Sequence, residues 1–517
     1  MVAIKMDLMG RLFAVVIFTV LTVIGLGFSL YLIINADSTY SYLLAFLYLA
    51  LSMVAGLFNT FTAYSYYRSY FYDRYLAGIT KGLRPPRRFP TVAVAVASYN
   101  EDPEVVERTI RKLRDLDYPE DRIRFYMLDD STEKDKIRRV RGACSRLGYV
   151  YIHRKERKGF KAGALNNFMK GMKEEFLAVF DYDEYLTDPM FLRDLLPYFE
   201  DEKLSYIQTE KRYEKRSFFS DTVDLFDAFF FKFIQPSRAL NNTAIFAGSC
   251  GLIRASSLRT IGGFPEYVIE DTFFSFESDM HGFKSLYVPK VYAYGKPIST
   301  FTELVKQQWR YNYGDTQFLG YFMKRSRNKG IRKRLSPLSN IDYMTHGFGL
   351  NYISVMLVLF TMVSILIVFS QFPVMHVTVQ NMFSSAYIAF DLEILGIGAL
   401  FISIIAPMLL TKMYFGSAKK GFMVFLLNFA LAFIRAKAAI AAVFRKRYRV
   451  IWDRDNSIKS YRFAYALRNS VAEVAFSVFL IALGGIAVSV NNFFGGMWLL
   501  WYGILYVSTL FMFYRYK

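Results

Sequence analysis

The stretch TVAVAVASYNEDPEVVERTIRKLRDLDYPEDRIRFYMLDDST, residues 91–132, decides the fold of the central part of this chain. It begins with a buried-strand run, TVAVAVA, at 91–97, continues with an amphipathic segment at 104–116 and returns to a strand-like segment, RFYMLDD, at 124–130. Buried strands and helices alternate in this way in α/β proteins. The alternation therefore predicts a parallel, Rossmann-like sheet.

Polar residues follow both predicted strands. SYNED occupies positions 98–102 and DDST occupies positions 129–132. Ligands of parallel sheets bind beyond the carboxyl ends of the strands, and both segments fall there. The sequence thus predicts a ligand site at this edge of the sheet.

Apolar segments flank this α/β region on both sides. Of the 517 residues, 54% are hydrophobic, which is too apolar for a purely soluble protein. A membrane-crossing helix needs about 20 apolar residues. The predicted spans are 12–34, 42–66, 347–370, 388–411, 470–490 and 495–514. We therefore predict a transmembrane hairpin at 1–87, an α/β domain at 88–325 and a membrane-associated region at 326–517.

The basic residues predict how these spans are oriented. The loop 35–41 contains no Lys or Arg, whereas several basic residues follow the second span at 68–88. Because cytoplasmic loops carry more Lys and Arg, we expect both termini and the α/β domain in the cytoplasm and the spans in the plasma membrane. The run 421–444 has basic flanks at both ends and contains Arg435 and Lys437. We predict an interfacial or re-entrant helix for it.

The formal charge of +20 does not indicate nucleic-acid binding, because the basic residues cluster beside apolar segments. Membrane topology and attraction to anionic lipids, worth about 1 kcal/mol per basic residue, explain the surplus. The two cysteines, Cys144 and Cys250, are far apart and form no CxxC motif. Neither a disulfide framework nor a thiolate zinc site is expected, and both cysteines should be reduced and buried.

Two acidic pairs can carry chemistry. LAVFDYDEYL at 177–186 ends a strand-like run in Asp181 and Asp183, which can meet one hard cation, although a solvated turn is the simpler interpretation. A divalent cation of this kind neutralises a diphosphate. Glu270 and Asp271 open a predicted helix, where they can also serve as caps for its first turn.

Two further segments combine basic, aromatic and small residues. FTELVKQQWRYNYG at 301–314 is amphipathic, and its Trp309 and Tyr311 suit the headgroup level of a membrane. Lys161, within RKGFKAGALNN at 157–167, lies beside Gly163, where backbone can approach a phosphate. Surface charge is the alternative interpretation for this lysine.

SYNE, DDS, KAGALN, DYD, AGS, ED and QQWRY follow one another in this order. The series resembles the family 2 glycosyltransferases of the cellulose synthase and hyaluronan synthase type over about residues 90–320. The resemblance implies a GT-A domain with a Rossmann-like mixed sheet, inserted in an α-helical multi-span membrane domain. It implies inverting transfer of a hexose or N-acetylhexosamine to a growing polysaccharide, with Mg²⁺ or Mn²⁺ as cofactor and UDP-glucose or UDP-N-acetylglucosamine as donor.

The resemblance also implies roles for individual residues. The nucleotide contacts are Tyr99, Glu101, Asp129, Asp130 and Lys161. Asp183 is implied as the direct metal ligand, and Asp181 as a residue nearer the donor sugar. IED at 269–271 resembles the TED motif, so Asp271 is the implied general base and Glu270 a substrate contact.

Gln307, Arg310 and Tyr311 resemble the QxxRW motif, in which the arginine stabilises the diphosphate and the aromatic ring stacks on the acceptor. Trp309 is a further expected substrate contact. Tyrosine replaces the motif's tryptophan, which leaves the acceptor open, and FAGS at 246–249 replaces FCGS, so no role is assigned to Cys250. RYRVIWDRD at 447–455 loosely resembles a gating loop; its candidate residues are Val450, Trp452 and Arg454.

Two other functions remain open. One is addition of a single sugar to a lipid acceptor, such as a glycolipid or a polyprenyl phosphate. The other is a nucleotide-regulated transporter, for which Asp391 and Glu393 would be the pathway groups.

Overall fold

The computed structural model describes residues 2–84, 88–327, 335–370, 402, 404–444, 462–490 and 492–516. The predicted gating loop at 447–455, with Val450, Trp452 and Arg454, lies outside the described residues, as do Asp391, Glu393 and most of the predicted span 388–411.

The central domain is built on two sheets. A seven-stranded sheet has the order β3-β2-β1-β4-β8-β6-β9, and a three-stranded sheet has the order β5-β10-β7. The strands are β1 Val92–Ser98, β2 Ile123–Asp129, β3 Val150–His153, β4 Phe176–Asp181, β5 Glu184–Leu186, β6 Leu204–Thr209, β7 Arg212–Tyr213, β8 Gly251–Arg254, β9 Lys284–Val288 and β10 Ala293–Gly295.

The large sheet is mixed, as the resemblance implies, and not purely parallel, as the alternation alone predicts. Strands β1 to β4 are mutually parallel, but β8 runs antiparallel to both β4 and β6. The reason lies in the connection between β6 and β8, which leaves the carboxyl edge after Thr209 and returns to the same edge before Gly251. A strand that starts at this edge can only run back across the sheet.

The strand residues are apolar because both faces of the sheet are covered. Val92, Val94 and Val96 are fully buried in a cluster on one face, and Ala93 and Ala95 in a cluster on the other. Continuous apolar runs are typical of strands buried on both sides. Cys144 and Cys250 are both free and buried.

Helices cover the sheets and extend beyond them. In chain order they are α1 Val2–Ile34, α2 Thr39–Gly82, α3 Pro103–Leu113, α4 Lys134–Leu147, α5 Phe160–Met169, α6 Phe191–Leu195, α7 Phe218–Phe229, α8 Gln235–Ala239, α9 Ala255–Ile261, α10 Glu270–Met280, α11 Phe301–Ser326, α12 Pro337–Val368, α13 Ile404–Phe415, α14 Ala418–Phe444, α15 Arg462–Asn469, α16 Val471–Ser489 and α17 Phe493–Arg515. Thr300 begins α11 with a capping box that includes Glu303.

Within the described residues, five helices are long and apolar enough to cross a membrane. These segments are Leu8–Ile34, Thr39–Gly82, Ala418–Phe444, Val471–Ser489 and Gly495–Arg515; shorter apolar helices lie at Ser354–Val368 and Ile404–Phe415. Both helices of the predicted N-terminal hairpin and both predicted C-terminal spans are present as helices. The topology and domain bounds stay predictions.

The sequence predicts an interfacial or re-entrant helix at α14, because basic residues flank the run at both ends and Arg435 and Lys437 interrupt it. The Arg435 side chain is fully buried, and its guanidinium donates to the amide oxygens of Gln308 and Asn428, each at 3.0 Å. The helix is continuous over 27 residues and satisfies the length that a span needs. Its interfacial placement stays a prediction.

Candidate active site

The loops that follow β1 and β2 are joined by hydrogen bonds. The Asn100 amide donates to Ser131 Oγ at 2.8 Å, and Asn100 Oδ1 accepts from the Thr132 amide at 2.8 Å. Asn100 has a positive φ of 54°, a conformation that asparagine adopts more readily than most residues. The two segments that the sheet pattern predicted at one edge therefore do meet there.

Asp129 and Asp130 are buried and hold these loops. Asp129 accepts from the Ser131 amide at 2.9 Å and from the Tyr151 hydroxyl at 2.5 Å. Asp130 accepts from the Arg154 guanidinium through both carboxylate oxygens. Each carboxylate thus has partners within the protein, and the predicted contact with a nucleoside stays a prediction.

Tyr99 lies against a residue that the sequence did not single out. The Arg157 guanidinium lies 3.5 Å from the centre of the Tyr99 ring, which is stacking distance. Glu101 is next to them, and burial raises the pKa of its carboxyl group although Tyr182 donates a hydrogen bond to it. The predicted nucleotide contacts Tyr99 and Glu101 thus lie together at the loop edge.

Asp181 ends β4 between two lysines. Lys161 donates to Asp181 Oδ1, Ser249 Oγ donates to Asp181 Oδ2 at 2.7 Å, and Lys211 Nζ lies 3.4 Å from the same oxygen. Burial opposes the charged carboxylate, but the two ammonium groups outweigh burial and hold the pKa of Asp181 well below its usual range. Asp181 is therefore a fixed anion at neutral pH.

Glu184, Lys211 and Ser249 complete this cluster, and sequence reasoning gave none of them a role. Lys211 Nζ lies 2.5 Å from Ser249 Oγ and 3.1 Å from Glu184 Oε1. Glu184 Oε2 accepts from the backbone amide of Asp181 at 2.8 Å, which fixes the end of β4. Glu184 and Ser249 fall inside the quoted motifs DYDEYL and FAGS, whereas no motif marks Lys211.

Asp183 has the opposite electrostatic environment. Burial, together with the charges of Asp181 and Glu184, raises the pKa of Asp183 to about 7. Its carboxylate makes no salt bridge in the described part of the chain, and no group of three or more His, Cys, Asp or Glu there has metal-ligand spacing. A pair of carboxylates suits Mg²⁺ or Mn²⁺, because such ions take one or two carboxylates and complete their shell with substrate phosphates and water.

Asp271 lies beside the same cluster, in the first turn of α10. A β-carbon built on Gly248 would stand 3.1 Å from Asp271 Oδ2, and Gly248 has a positive φ of 82°. Lys161 donates to the Gly248 carbonyl at 2.9 Å as well as to Asp181, so one ammonium connects Asp181 to the loop that contacts Asp271. The amide of Thr272 donates to Asp271 Oδ1 at 2.8 Å.

Burial makes the acidic pair of α10 more basic than exposed carboxylates. It raises the pKa of Asp271, and together with the charge of Asp271 it raises the pKa of Glu270 to about 7. Arg310 interacts electrostatically with Glu270 and Asp181, and these anions and Tyr311 raise its pKa despite burial. The guanidinium is thus permanently charged next to a carboxyl group that can take up a proton.

Helix α11 reaches this position because Gly314 allows a close approach. A β-carbon on Gly314 would stand 2.6 Å from Ile269, the residue that precedes α10. Gln307 Nε2 lies 3.4 Å from the Tyr311 hydroxyl, and burial raises the pKa of Tyr311.

Asp315 lies one turn beyond Tyr311, and no sequence motif marks it. Burial and the charge of Asp271 raise the pKa of Asp315 well above its usual range.

Trp309 lies apart from the predicted substrate contacts. It packs against the apolar cluster that contains Phe301 and Leu304 of α11 and Met423 and Leu427 of α14. The structure thus places Tyr311 with the charged residues and Trp309 with the membrane-associated helices. The predicted substrate contact for Trp309 is not tested by this placement.

One cluster of charged groups therefore brings together Asp181, Asp183, Asp271 and Arg310. Its carboxylates can hold a divalent cation, the carboxyl group of Asp271 can accept a proton, and the cationic groups of Lys161 and Arg310 can neutralise a phosphorylated leaving group. The catalytic, substrate-binding and metal roles of these residues stay predictions.

Residues 90–314 match the family described as "Glycosyltransferase like family 2". The region is 30% identical over 239 residues to the cellulose synthase catalytic subunit (UDP-forming) of Pseudomonas fluorescens (strain SBW25), covering 45% of this chain and 32% of that protein. It is 29% identical over 257 residues to glucomannan 4-beta-mannosyltransferase 1 of Oryza sativa subsp. japonica, covering 47% and 49% of the two chains. The match thus spans about a third to a half of these relatives.

Among solved structures, the mannosyltransferase PcManGT from Pyrobaculum calidifontis, in complex with GDP-Man and Mn²⁺, is 16% identical with a TM-score of 0.49. That comparison covers 76% of this chain and 99% of the mannosyltransferase.

Proposed function

We propose that this chain, whose residues 90–314 form a family 2 glycosyltransferase domain, transfers a hexose or N-acetylhexosamine from a UDP-sugar to a growing polysaccharide. Transfer inverts the anomeric configuration and is coupled to passage of the polymer across the membrane. The observation that carries the proposal is the contact network in which Lys161 joins Asp181 to Gly248, with Asp271 directly beside Gly248.

Asp271 is the proposed general base. Its pKa is raised by burial, so its carboxylate is a better proton acceptor than an exposed aspartate. In the proposed step, an acceptor hydroxyl loses its proton to Asp271 while its oxygen forms a bond to the anomeric carbon of the donor. The bond from that carbon to the diphosphate breaks at the same time, which accounts for inversion.

Lys161 and Arg310 are the proposed fixed cations for the leaving diphosphate. Both are partly buried. The charge of Asp181 raises the pKa of Lys161, and the charges of Tyr311 and Glu270 raise the pKa of Arg310, so both side chains stay charged. Charges that are in place before the reaction stabilise the leaving anion without reorganisation. Asp183 would be the direct ligand of Mg²⁺ or Mn²⁺, which when bound neutralises the diphosphate, and Asp181 would lie nearer the donor sugar.

The polymer product and its passage through the membrane have separate support. The Pseudomonas fluorescens relative is named a UDP-forming cellulose synthase subunit, which favours UDP-glucose as donor over UDP-N-acetylglucosamine. Five described helices are long and apolar enough to cross a membrane, more than a simple anchor needs. Helix α11 carries Tyr311 beside the charged cluster and packs against α14, and this packing supports an acceptor contact close to the membrane-associated helices.

Transfer of one sugar to a lipid acceptor is the second candidate, because tyrosine stands at position 311 where the related motif has tryptophan. The catalytic residues would be the same. The two candidates differ in product size only, so sizing the product separates them.

The test uses the full chain, purified and reconstituted in lipid nanodiscs. UDP-glucose, UDP-N-acetylglucosamine and GDP-mannose are each supplied with Mg²⁺ or Mn²⁺, and nucleotide release is measured. The product is then sized and digested with linkage-specific glycosidases. We expect release of UDP and a long glycan; a lipid carrying one sugar would support the second candidate. Absence of turnover with every donor and both ions would exclude the proposed activity.

A further inference from the structure

The two aspartates of the DYD segment lie in unlike surroundings. Lys161 and Lys211 neutralise Asp181, whereas Asp183 makes no salt bridge among the described residues. A divalent cation is more strongly attracted to a carboxylate that makes no salt bridge than to one that two ammonium groups already contact.

Lys211 contributes to this difference through direct contacts with Asp181 and its neighbours. Its ammonium has three protons to donate and faces Ser249 Oγ at 2.5 Å, Glu184 Oε1 at 3.1 Å and Asp181 Oδ2 at 3.4 Å. Its side chain is only 14% exposed, so solvent screens these charges weakly. Burial opposes the charge, but Glu184 and Asp181 raise the pKa of Lys211 well above its usual range.

The acceptor capacity of Asp181 is nearly filled. A carboxylate offers about four lone-pair positions. Lys161 occupies one on Oδ1, while Ser249 and Lys211 approach Oδ2. Oδ1 can therefore accept about one further hydrogen bond. A single hydroxyl group fits this position better than a metal ion, which brings several other ligands close to each carboxylate that it binds.

We infer that Lys211 is a positioning residue that keeps Asp181 out of the metal shell and leaves its carboxylate free to accept a hydroxyl of the donor sugar. Asp183 then remains as the carboxylate that binds the cation. This inference rests on the proposed function, because it assigns the donor sugar and the cation to different aspartates of that site. It adds a role for Lys211, a residue that no sequence motif marks.

The test measures Mn²⁺ binding to the nucleotide-free full chain in nanodiscs, by calorimetry and electron paramagnetic resonance. Four proteins form a double-mutant cycle: wild type, Lys211→Met, Asp181→Asn and the double variant. We expect Lys211→Met to bind Mn²⁺ about tenfold more tightly, because Asp181 becomes available as a ligand. In the Asp181→Asn background the same lysine change should have little effect.

Controls separate charge from folding. Lys211→Arg should keep wild-type affinity for Mn²⁺. Lys211→Gln should reproduce the tighter binding even if Lys211→Met fails to fold, because its amide can still hydrogen-bond Ser249 and Glu184. Lys215→Met removes an exposed lysine four positions along the chain and should change nothing.

Two results would overturn the inference. Unchanged or weaker Mn²⁺ binding in Lys211→Gln would show that Lys211 does not exclude Asp181 from the ion. An equal gain with and without Asp181 would show simple repulsion between Lys211 and Mn²⁺. Failure of the proposed function is a separate outcome, because it would appear as absence of nucleotide-sugar turnover in the wild type.

Discussion

Gly248 lies directly against Asp271: a β-carbon on Gly248 would stand 3.1 Å from Asp271 Oδ2. We predict that Gly248→Ala lowers the transfer rate by about 10- to 100-fold, because the methyl group displaces the carboxylate that must meet the acceptor hydroxyl. The measurement is UDP release at saturating donor.

Gly262→Ala is a matched control for this change. Gly262 also has a positive φ, of 92°, but a β-carbon there would meet nothing within 4 Å. Both substitutions introduce the same backbone strain, about 1–2 kcal/mol. Equal losses of activity in the two variants would assign the effect of Gly248→Ala to strain and not to contact with Asp271.

Asp271→Asn should reduce transfer by about 10²- to 10⁴-fold, the range typical of general acid–base catalysis. The amide keeps the size of the side chain and cannot take up the proton. Affinity for UDP, measured by calorimetry with Mn²⁺, should change little, because Lys161 and Arg310 stay in place. Full activity in Asp271→Asn would contradict a role for Asp271 as general base. If the protein were instead a nucleotide-regulated transporter, Asp271→Asn would retain both nucleotide binding and transport.

The sequence predicted the edge of the sheet well, because strand periodicity and the turn residues that follow are local features. The meeting of Asn100 with Ser131 follows from the parallel pairing of β1 and β2 alone. The approach of Asp271 to Asp181 followed only from the order of the motifs, since their nearness depends on how α10 docks on the sheet.

Lys211 and Arg157 could not be predicted in this way. Lys211 follows β6, which lies on the other side of the antiparallel strand β8 from β4, so β4 and β6 end at the same edge of the sheet. The alternation of strands and helices predicts no antiparallel strand, and so it does not predict that Lys211 lies near Asp181. Arg157 is one of several basic residues in a loop, and only the folded loop shows which of them stacks on Tyr99.

Asp279, at the far end of α10, should make stability depend on pH. Burial raises the pKa of Asp279 to about 7, and its Oδ2 has no hydrogen-bond partner. The folded state therefore binds a proton more tightly than the unfolded chain, whose aspartate titrates near 3.9. Stability is then lost as pH rises from about 4 to 7.

We predict that Asp279→Asn raises the melting temperature by roughly a few degrees at pH 8 and leaves it unchanged near pH 4. The measurement is thermal unfolding in detergent across this pH range. Asp201→Asn should act in the opposite direction at pH 8, because Lys284 lies 2.7 Å from Asp201, and the pKa of Asp201 is lowered although burial opposes this. A pH profile in Asp279→Asn that matches the wild type would contradict the prediction.

Tyr311 should control how firmly the acceptor is held. Its ring lies 5.4 Å from the Arg310 guanidinium, within the charged cluster, whereas Trp309 packs against α14. Loss of an aromatic contact is worth about 0.5–1.5 kcal/mol, so Tyr311→Ala should raise the KM for the acceptor by about three- to tenfold and shorten the product. Tyr311→Phe should stay near wild type, because the ring face remains. Trp309→Phe should lower the melting temperature without changing the acceptor KM, and the reverse pattern would place the acceptor on the Trp309 side of the helix.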